Sequence, residues 1–264
     1  MNGYKTFAVI VYVTDTEQQA VMRMFDWQDL KIDGDDQEYK EAFIEKDGKK
    51  QRIISAKQDE MGMVASTALS AKMIARFVPE YIIMPGIAAG VGVYHDSNEQ
   101  EYGDVMLADS VWNYSNGKYV SPGKGDITFG ELGFEPRPSL VRITGDHIKT
   151  IIEYAGSGDH EFHVHCGPLA SGAAVVANQA FLVKRIVSNS GETKGVEMEA
   201  YGVAYAAQHA LDPKPNIIIA KSICDFGDEE KNDSVQKFAA YTSCGFVKEL
   251  IENVLECTCE GCGE

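Results

Sequence analysis

What this sequence lacks narrows it first. No run of about 18 apolar residues occurs in its 264 residues, so no membrane-spanning helix is expected. The start, Met1 to Val13, carries neither a basic lead nor a small-residue cleavage site, so a secretory leader is not expected either. Positive charge is scarce, with 24 Lys and Arg against 40 Asp and Glu and a formal charge of -16. A chain so acidic repels phosphate backbones, which argues against nucleic acid as a partner but not against a small anionic ligand in a local pocket. No Gly-Lys-Ser/Thr follows the small-residue segment at Gly86–Gly90, and no G-x-G-x-x-G spacing occurs there, so neither a Walker loop nor a dinucleotide fingerprint is present. Internal repeats and linkers are missing too, and one domain is the simpler organisation. Cys166, Cys224 and Cys244 stand singly in apolar or mixed segments, as thiols of a reducing cytoplasm do. The other three cysteines, Cys257, Cys259 and Cys262, lack a fourth ligand for a structural zinc set. Residues 257–264 therefore read as a mobile, exposed tail, and no metal or cofactor is expected.

What is present is 44% hydrophobic, enough for a sizeable core. Phe7 to Val13 is a continuous apolar, β-branched run, the mark of a strand buried on both faces. Thr14 to Phe25 follows as a helix. Lys40–Glu45 and Gln51–Lys57 flank Asp47-Gly48 and predict a hairpin. Gly62–Phe77 has helical spacing, Tyr81–Met84 is a second buried strand, and Asp104–Val111 is strand-like. Asn116 to Pro138, rich in Gly and Pro, predicts a long loop, either a lid or a surface excursion. Ser139–Ala155 is expected to be helical, Phe162–Cys166 a strand, and Asn178–Val187 and Ala200–Ala210 helices. Asn216–Ile223 is a buried strand and Ser234–Leu255 a long helix. Strands alternating with helices predict an α/β layer fold with a largely parallel sheet. Ligands in such sheets sit at the carboxyl ends of the strands, which directs attention to Thr14–Glu17, Pro85–Gly90, Gly167–Val176, Glu197–Glu199 and Cys224–Asp228.

Each of these segments has a plain reading beside a functional one. Small residues at Gly86–Gly90 let backbone amides approach a ligand, and tight strand-to-helix packing explains them equally well. Glu197 and Glu199, separated by one residue, point to one face if the segment is extended and could hold the hydroxyls of a sugar. They would equally favour the N-terminus of the helix that follows. Asp225 ends an apolar strand, where a raised pKa makes a general acid; an N-cap for the next turn is the ordinary role. Glu17 stands three residues after Thr14, the spacing of a capping box, and that role is the default.

Taken in order, Gly86–Gly90, Gly103-Asp104-Val105, Ser171-Gly172, Val196-Glu197-Met198-Glu199-Ala200 and Ile223-Cys224-Asp225 resemble the nucleoside phosphorylase and nucleosidase superfamily. The resemblance runs from about Phe7 to about Leu255 and is nearest to methylthioadenosine/adenosylhomocysteine nucleosidases and to nucleosidase-like domains of signalling proteins, some of which are thought to act on nucleotides. It implies a three-layer α/β sandwich around a central mixed, largely parallel sheet, with residues 1–256 as one catalytic domain. It also implies a purine nucleosidase acting on an adenine nucleoside or related nucleotide, in a homodimer or hexamer. By resemblance, Glu199 binds the ribose hydroxyls, Met198 packs under the sugar and Glu197 supports Glu199. Asp225 protonates the leaving purine, Glu17 activates water, and Gly86, Ile87 and Ala88 line the nucleophile side. Two positions depart from the family: Cys224 stands where it has Ser, and Val175, next to Val176, stands where an aromatic often stacks on the base. Phe226 offers a ring instead. Met84 and Ile87 occupy places where hexameric phosphorylases carry Arg and Ser, and no Arg precedes Arg23, which favours water over phosphate as nucleophile; Lys221 is the nearby cation. A phosphorylase, or a nucleoside-sensing module that does not turn over, are the alternatives.

Overall fold

The computed structural model describes residues 3–46, 48–91, 100–121, 124, 127–129, 132–157, 160–227 and 233–260. Strand β1 (Thr6–Tyr12) lies between β4 (Lys49–Lys57) and β5 (Pro79–Gly90), parallel to both. Its residues alternate. Val9, Val11 and Val13 enter one core, while Ala8, Ile10 and Tyr12 enter the other. That is why the run is apolar at every position: both faces of the sheet are covered.

The first core is closed by α2 (Met63–Phe77) and α5 (Ala200–Gln208), the second by α1 (Asp15–Val21), α3 (Asp146–Ser157) and α6 (Asp233–Glu249). The result is a helix–sheet–helix sandwich. The remaining strands of the main sheet are β2 (Gln28–Ile32), β3 (Asp35–Lys46), β6 (Val105–Asn113), β10 (Ser139–Arg142), β11 (Val164–Ser171), β12 (Gly195–Glu197) and β13 (Asn216–Asp225). The order is β10-β6-β11-β12-β5-β1-β4-β3-β2, with β13 bridging β5 in parallel and β6 in antiparallel. Strands β6, β11, β12, β5 and β13 thereby close on themselves. The sheet is mixed more evenly than the alternation of elements suggests, because β10, β12 and the β2–β3–β4 meander all add antiparallel pairs.

Several expectations need correcting. The stretch Asn116–Pro138 is not a structureless loop: β7 (Gly117–Val120), β8 (Ile127–Phe129) and β9 (Leu132–Pro136) form a separate antiparallel sheet. Strands of three to five residues are too short to show a period, but Phe134 anchors this sheet, with its ring 5.0 Å from Tyr119 and the Arg185 guanidinium 3.5 Å above it. Ser139–Ala155 begins as a strand, β10, and becomes helix only after Gly145, whose φ of +143° breaks the run. Helix α1 stops at Val21, and β5, expected to end at Met84, continues to Gly90, so the small-residue segment is part of the strand. Helix α4 (Gln179–Leu182) and helix α6 both finish in π-helical turns, Val183–Val187 and Leu250–Val254. The hairpin is present as β3–β4, although Asp47 lies outside the described residues. Finally, the described part of the tail, Cys257–Glu260, is tied to the fold: Cys259 is buried and disulfide-bonded, and the Thr258 N–H and hydroxyl bond to the buried Glu80, while residues 261–264 lie outside the described residues.

Candidate active site

The carboxyl ends of β1, β5, β12 and β13 meet at a cavity of about 210 Å³ lined by Glu17, Ile87, Ala88, Val175, Val176, Glu197, Met198, Glu199, Cys224 and Asp225, among others. The carboxylates after β1, β12 and β13 reach the cavity by different local devices.

Glu17 sits in the first turn of α1. The Thr14 hydroxyl accepts the Glu17 N–H (3.1 Å), and Glu17 Oε2 accepts the N–H groups of Thr14 (2.9 Å) and Val13 (3.0 Å), so the capping box is formed. The same carboxylate reaches the cavity: Oε1 accepts the Ile87 N–H at 3.1 Å. The helix-capping role and the site role therefore coexist. Gly86 makes this approach possible, since a Cβ there would fall 2.1 Å from Glu17 Oε1 and 2.7 Å from Lys221 Nζ.

Glu197 and Glu199 divide the two roles between them. Strand β12 ends at Glu197, whose Oε2 accepts the N–H groups of Glu199 (2.8 Å) and Ala200 (2.7 Å) at the start of α5, while the Ser171 hydroxyl donates to Oε1. The helix-terminus reading is thus realised by Glu197. Glu199 turns away and accepts the Gly62 N–H at 2.7 Å from the start of α2. Burial pushes its carboxyl up to about 7, helped by the charges of Glu197 and Glu17 and opposed by Lys221 and the Gly62 N–H.

Asp225 is aimed by an irregularity. The register between β13 and β5 shifts between Ile223 and Asp225, so Cys224 is the extra residue of a bulge. Asp225 Oδ1 accepts the Gly227 N–H (2.8 Å), the turn-capping role expected of it, and Oδ2 accepts the Cys224 thiol (3.3 Å). Burial, then the charge of Asp225, raises the Cys224 pKa, so Cys224 is a neutral donor to the carboxylate.

Gly86 and Phe226 lie outside the cavity lining; the Phe226 ring packs 5.1 Å from Tyr102. Val175 does line the cavity, yet its side is half open, with Val175 53% and Met61 62% exposed. Sequence reasoning left the direction of Lys221 open, and it proves central. Lys221 is fully buried, its Nζ is 3.8 Å from Glu17 Oε1, and it makes no hydrogen bond among the described residues. Burial alone would lower its pKa, but Glu17, Glu197 and Glu199 outweigh that and raise it. A charged residue inside Asn216–Asp225, otherwise so apolar, was the available signal. Met61, Gly62 and Gln236 carried no such signal.

The fold and the cavity define an α/β protein with four buried or half-buried carboxylates gathered at strand ends around a small-molecule pocket. A family model described as the phosphorylase superfamily matches residues 10–256, and the chain belongs to that superfamily. Among curated proteins it is 29% identical over 247 residues to y4jS of Sinorhizobium fredii, covering 87% of this chain and 56% of that protein. It is 26% identical over 245 residues to a death domain-containing ATP nucleosidase of Amphimedon queenslandica, covering 84% and 44%. The chain thus spans about half the length of these relatives. The fold is also that of 5'-methylthioadenosine/S-adenosylhomocysteine nucleosidase from Neisseria meningitidis in complex with methylthio-immucillin-A, with a TM-score of 0.71 at 22% identity, covering 95% of this chain and 100% of that one.

Proposed function

We propose that this chain hydrolyses the N-glycosidic bond of an adenine nucleoside or a related nucleotide, residues 1–256 acting as one catalytic domain. The observation that carries the reading is the convergence of Glu17, Glu199 and Asp225 on one cavity, each held by its own hydrogen bonds. Relatives named as nucleosidases for ATP and for methylthioadenosine support the same class.

In this reading Glu199 accepts hydrogen bonds from the ribose 2'- and 3'-hydroxyls, and Met198 lies under the sugar. As the C1'–N9 bond lengthens, electrons move to the base, and Asp225 passes a proton to the ring nitrogen N7. Glu17 takes a proton from water, whose oxygen bonds to C1'. Two carboxyl groups thus share acid and base duty, as in glycoside hydrolysis. Lys221, with its Nζ 3.8 Å from Glu17 Oε1, balances the negative charge gathered around the sugar.

Water is favoured as nucleophile because no lysine or arginine is among the described residues lining the cavity. Lys221 is the observation on the other side, a buried cation to which a phosphate could turn. The test is base release from adenosine, methylthioadenosine, inosine and ATP, with and without phosphate, beside Asp225→Asn. Release that ignores phosphate and falls roughly a hundred- to ten-thousand-fold in the variant is expected. Strict phosphate dependence would make the chain a phosphorylase. Thermal stabilisation by adenosine with no product would make it a sensing module.

The half-open cavity wall at Met61 and Val175 supports a second copy completing the pocket in a homodimer or hexamer. The thiols of Cys166, Cys224 and Cys244 support a cytoplasmic setting. No described helix is long and apolar enough to cross a membrane.

A further inference from the structure

Far from the cavity in the chain, the cysteine-rich segment meets a residue that no spacing argument connects to it. Glu80 is the second residue of β5 and is buried. Its Oε2 accepts the Thr258 N–H (2.7 Å) and its Oε1 accepts the Thr258 hydroxyl (2.6 Å). Cys257 and Cys259 flank Thr258, so this clamp brings both sulfurs beside the carboxylate. The sulfurs are 2.8 Å apart, and together with a Glu80 oxygen they lie within 4.8 Å of one another.

The segment is held in place independently of this contact. Lys46 Nζ donates to the Leu255 carbonyl (2.8 Å), the Tyr81 hydroxyl to the Glu256 carbonyl (3.0 Å), and the Glu260 N–H to the Tyr4 carbonyl (2.9 Å). Among the described residues no lysine, arginine or histidine forms an ion pair with Glu80. A buried carboxylate without a cation is costly, and two sulfurs beside it supply what a borderline-soft metal prefers. Thr258 then orients the carboxylate, as outer hydrogen bonds commonly do for metal ligands.

We propose that Glu80, Cys257 and Cys259 form a binding site for a zinc-type divalent metal ion, separate from the nucleoside cavity and independent of the catalytic reading. The three cysteines of the segment fall short of a tetrahedral set by themselves, and Glu80 supplies the carboxylate donor from the sheet; water completes the coordination. In the structure Cys259 is disulfide-bonded, so the site opens on reduction. A dithiol reductant transfers two electrons and two protons to the disulfide and leaves as its own cyclic disulfide. The metal ion then displaces one proton from Cys257 and one from Cys259.

The test uses the whole protein, reduced with dithiothreitol, freed of it by gel filtration under nitrogen and titrated with Co²⁺. The expected result is a thiolate-to-cobalt charge-transfer band in the near ultraviolet that saturates at a single equivalent and is bleached by Zn²⁺. Cys257→Ser and Glu80→Gln should each weaken cobalt binding at least about tenfold. Absence of the band at one equivalent would overturn the proposal. So would a band of unchanged affinity in Glu80→Gln, since thiols alone would then be collecting cobalt. If Glu80→Gln does not fold by circular dichroism, Cys257→Ser at a half-buried position decides: unchanged affinity and band intensity sink the site.

Discussion

At the scale of single residues, the site is governed by one buried cation among several carboxylates. Lys221 has no exposure, and three glutamates raise its pKa against the pull of burial. Replacing it by Met leaves Glu17 and Glu199 uncompensated, and removing one partner of a buried pair costs about 3 kcal/mol. Lys221→Met should therefore lower unfolding free energy by about that amount in urea melts. It should also move the acidic limb of the pH–rate profile to higher pH. Glu199 gives a second prediction. Its ordinary pKa of 4.5 is pushed up to about 7 in the fold, so the folded chain holds more protons than the unfolded chain between those values. Stability then falls as pH rises through that window, by roughly 3 kcal/mol at most. Glu199→Gln should flatten that dependence and be the more stable protein above pH 7, as thermal melts across the range would register.

At the scale of elements, the short strand β12 and helix α5 are joined through Glu197, which takes two helix N–H groups and the Ser171 hydroxyl. Ser171 also accepts the Tyr201 N–H (2.9 Å), tying β11 to the same helix. Ser171→Ala should cost about 1–2 kcal/mol and raise KM more than it lowers kcat, because it loosens the support of Glu199 without touching the acid or the base. Elements of this kind mark the limit of what was legible in the sequence. Val9, Ile82 and Ile218 announced buried strands, and the strand ends rightly pointed to the segments that meet at the cavity. A three-residue strand and the β7–β9–β8 sheet are too short for any period to emerge. Glu17 and Asp225 each fitted an ordinary capping role, and each in fact has one; what no local pattern could reveal is that those capped carboxylates converge. Glu80 and Cys257 are the extreme case, 177 positions apart and brought together only by the tertiary fold.

At the scale of the whole molecule, a formal charge of -16 is spread over a core that the sheet divides in two. Self-repulsion of that size opposes compaction and is screened by salt. The melting temperature should rise by a few degrees between low and about 0.5 M sodium chloride; a fall would mean that surface ion pairs such as Arg52–Glu41 outweigh the net charge. The half-open wall at Met61 and Val175 makes assembly the other global variable. Light scattering across a dilution series should show a dimer or hexamer dissociating, and base release assayed on the same samples should fall with it. Activity that is unchanged in a verified monomer would mean that the pocket is complete in one chain.

The double employment of Glu17 bears on how controls for this protein should be built. Its carboxylate receives the N–H groups of Val13 and Thr14 as well as that of Ile87, so an alanine there strips the first turn of α1 together with the base that the proposed reaction assigns to it. A cell carrying such a variant would confuse lost turnover with lost protein. Asp225 ends its strand, and asparagine at that position keeps the acceptor for Gly227 and gives up only the weak contact from the Cys224 thiol, so it is the cleaner control for the proposed acid. If Glu17 is the proposed base, catalysis and a well-formed first helix depend on one side chain, and a substitution at position 17 is penalised twice.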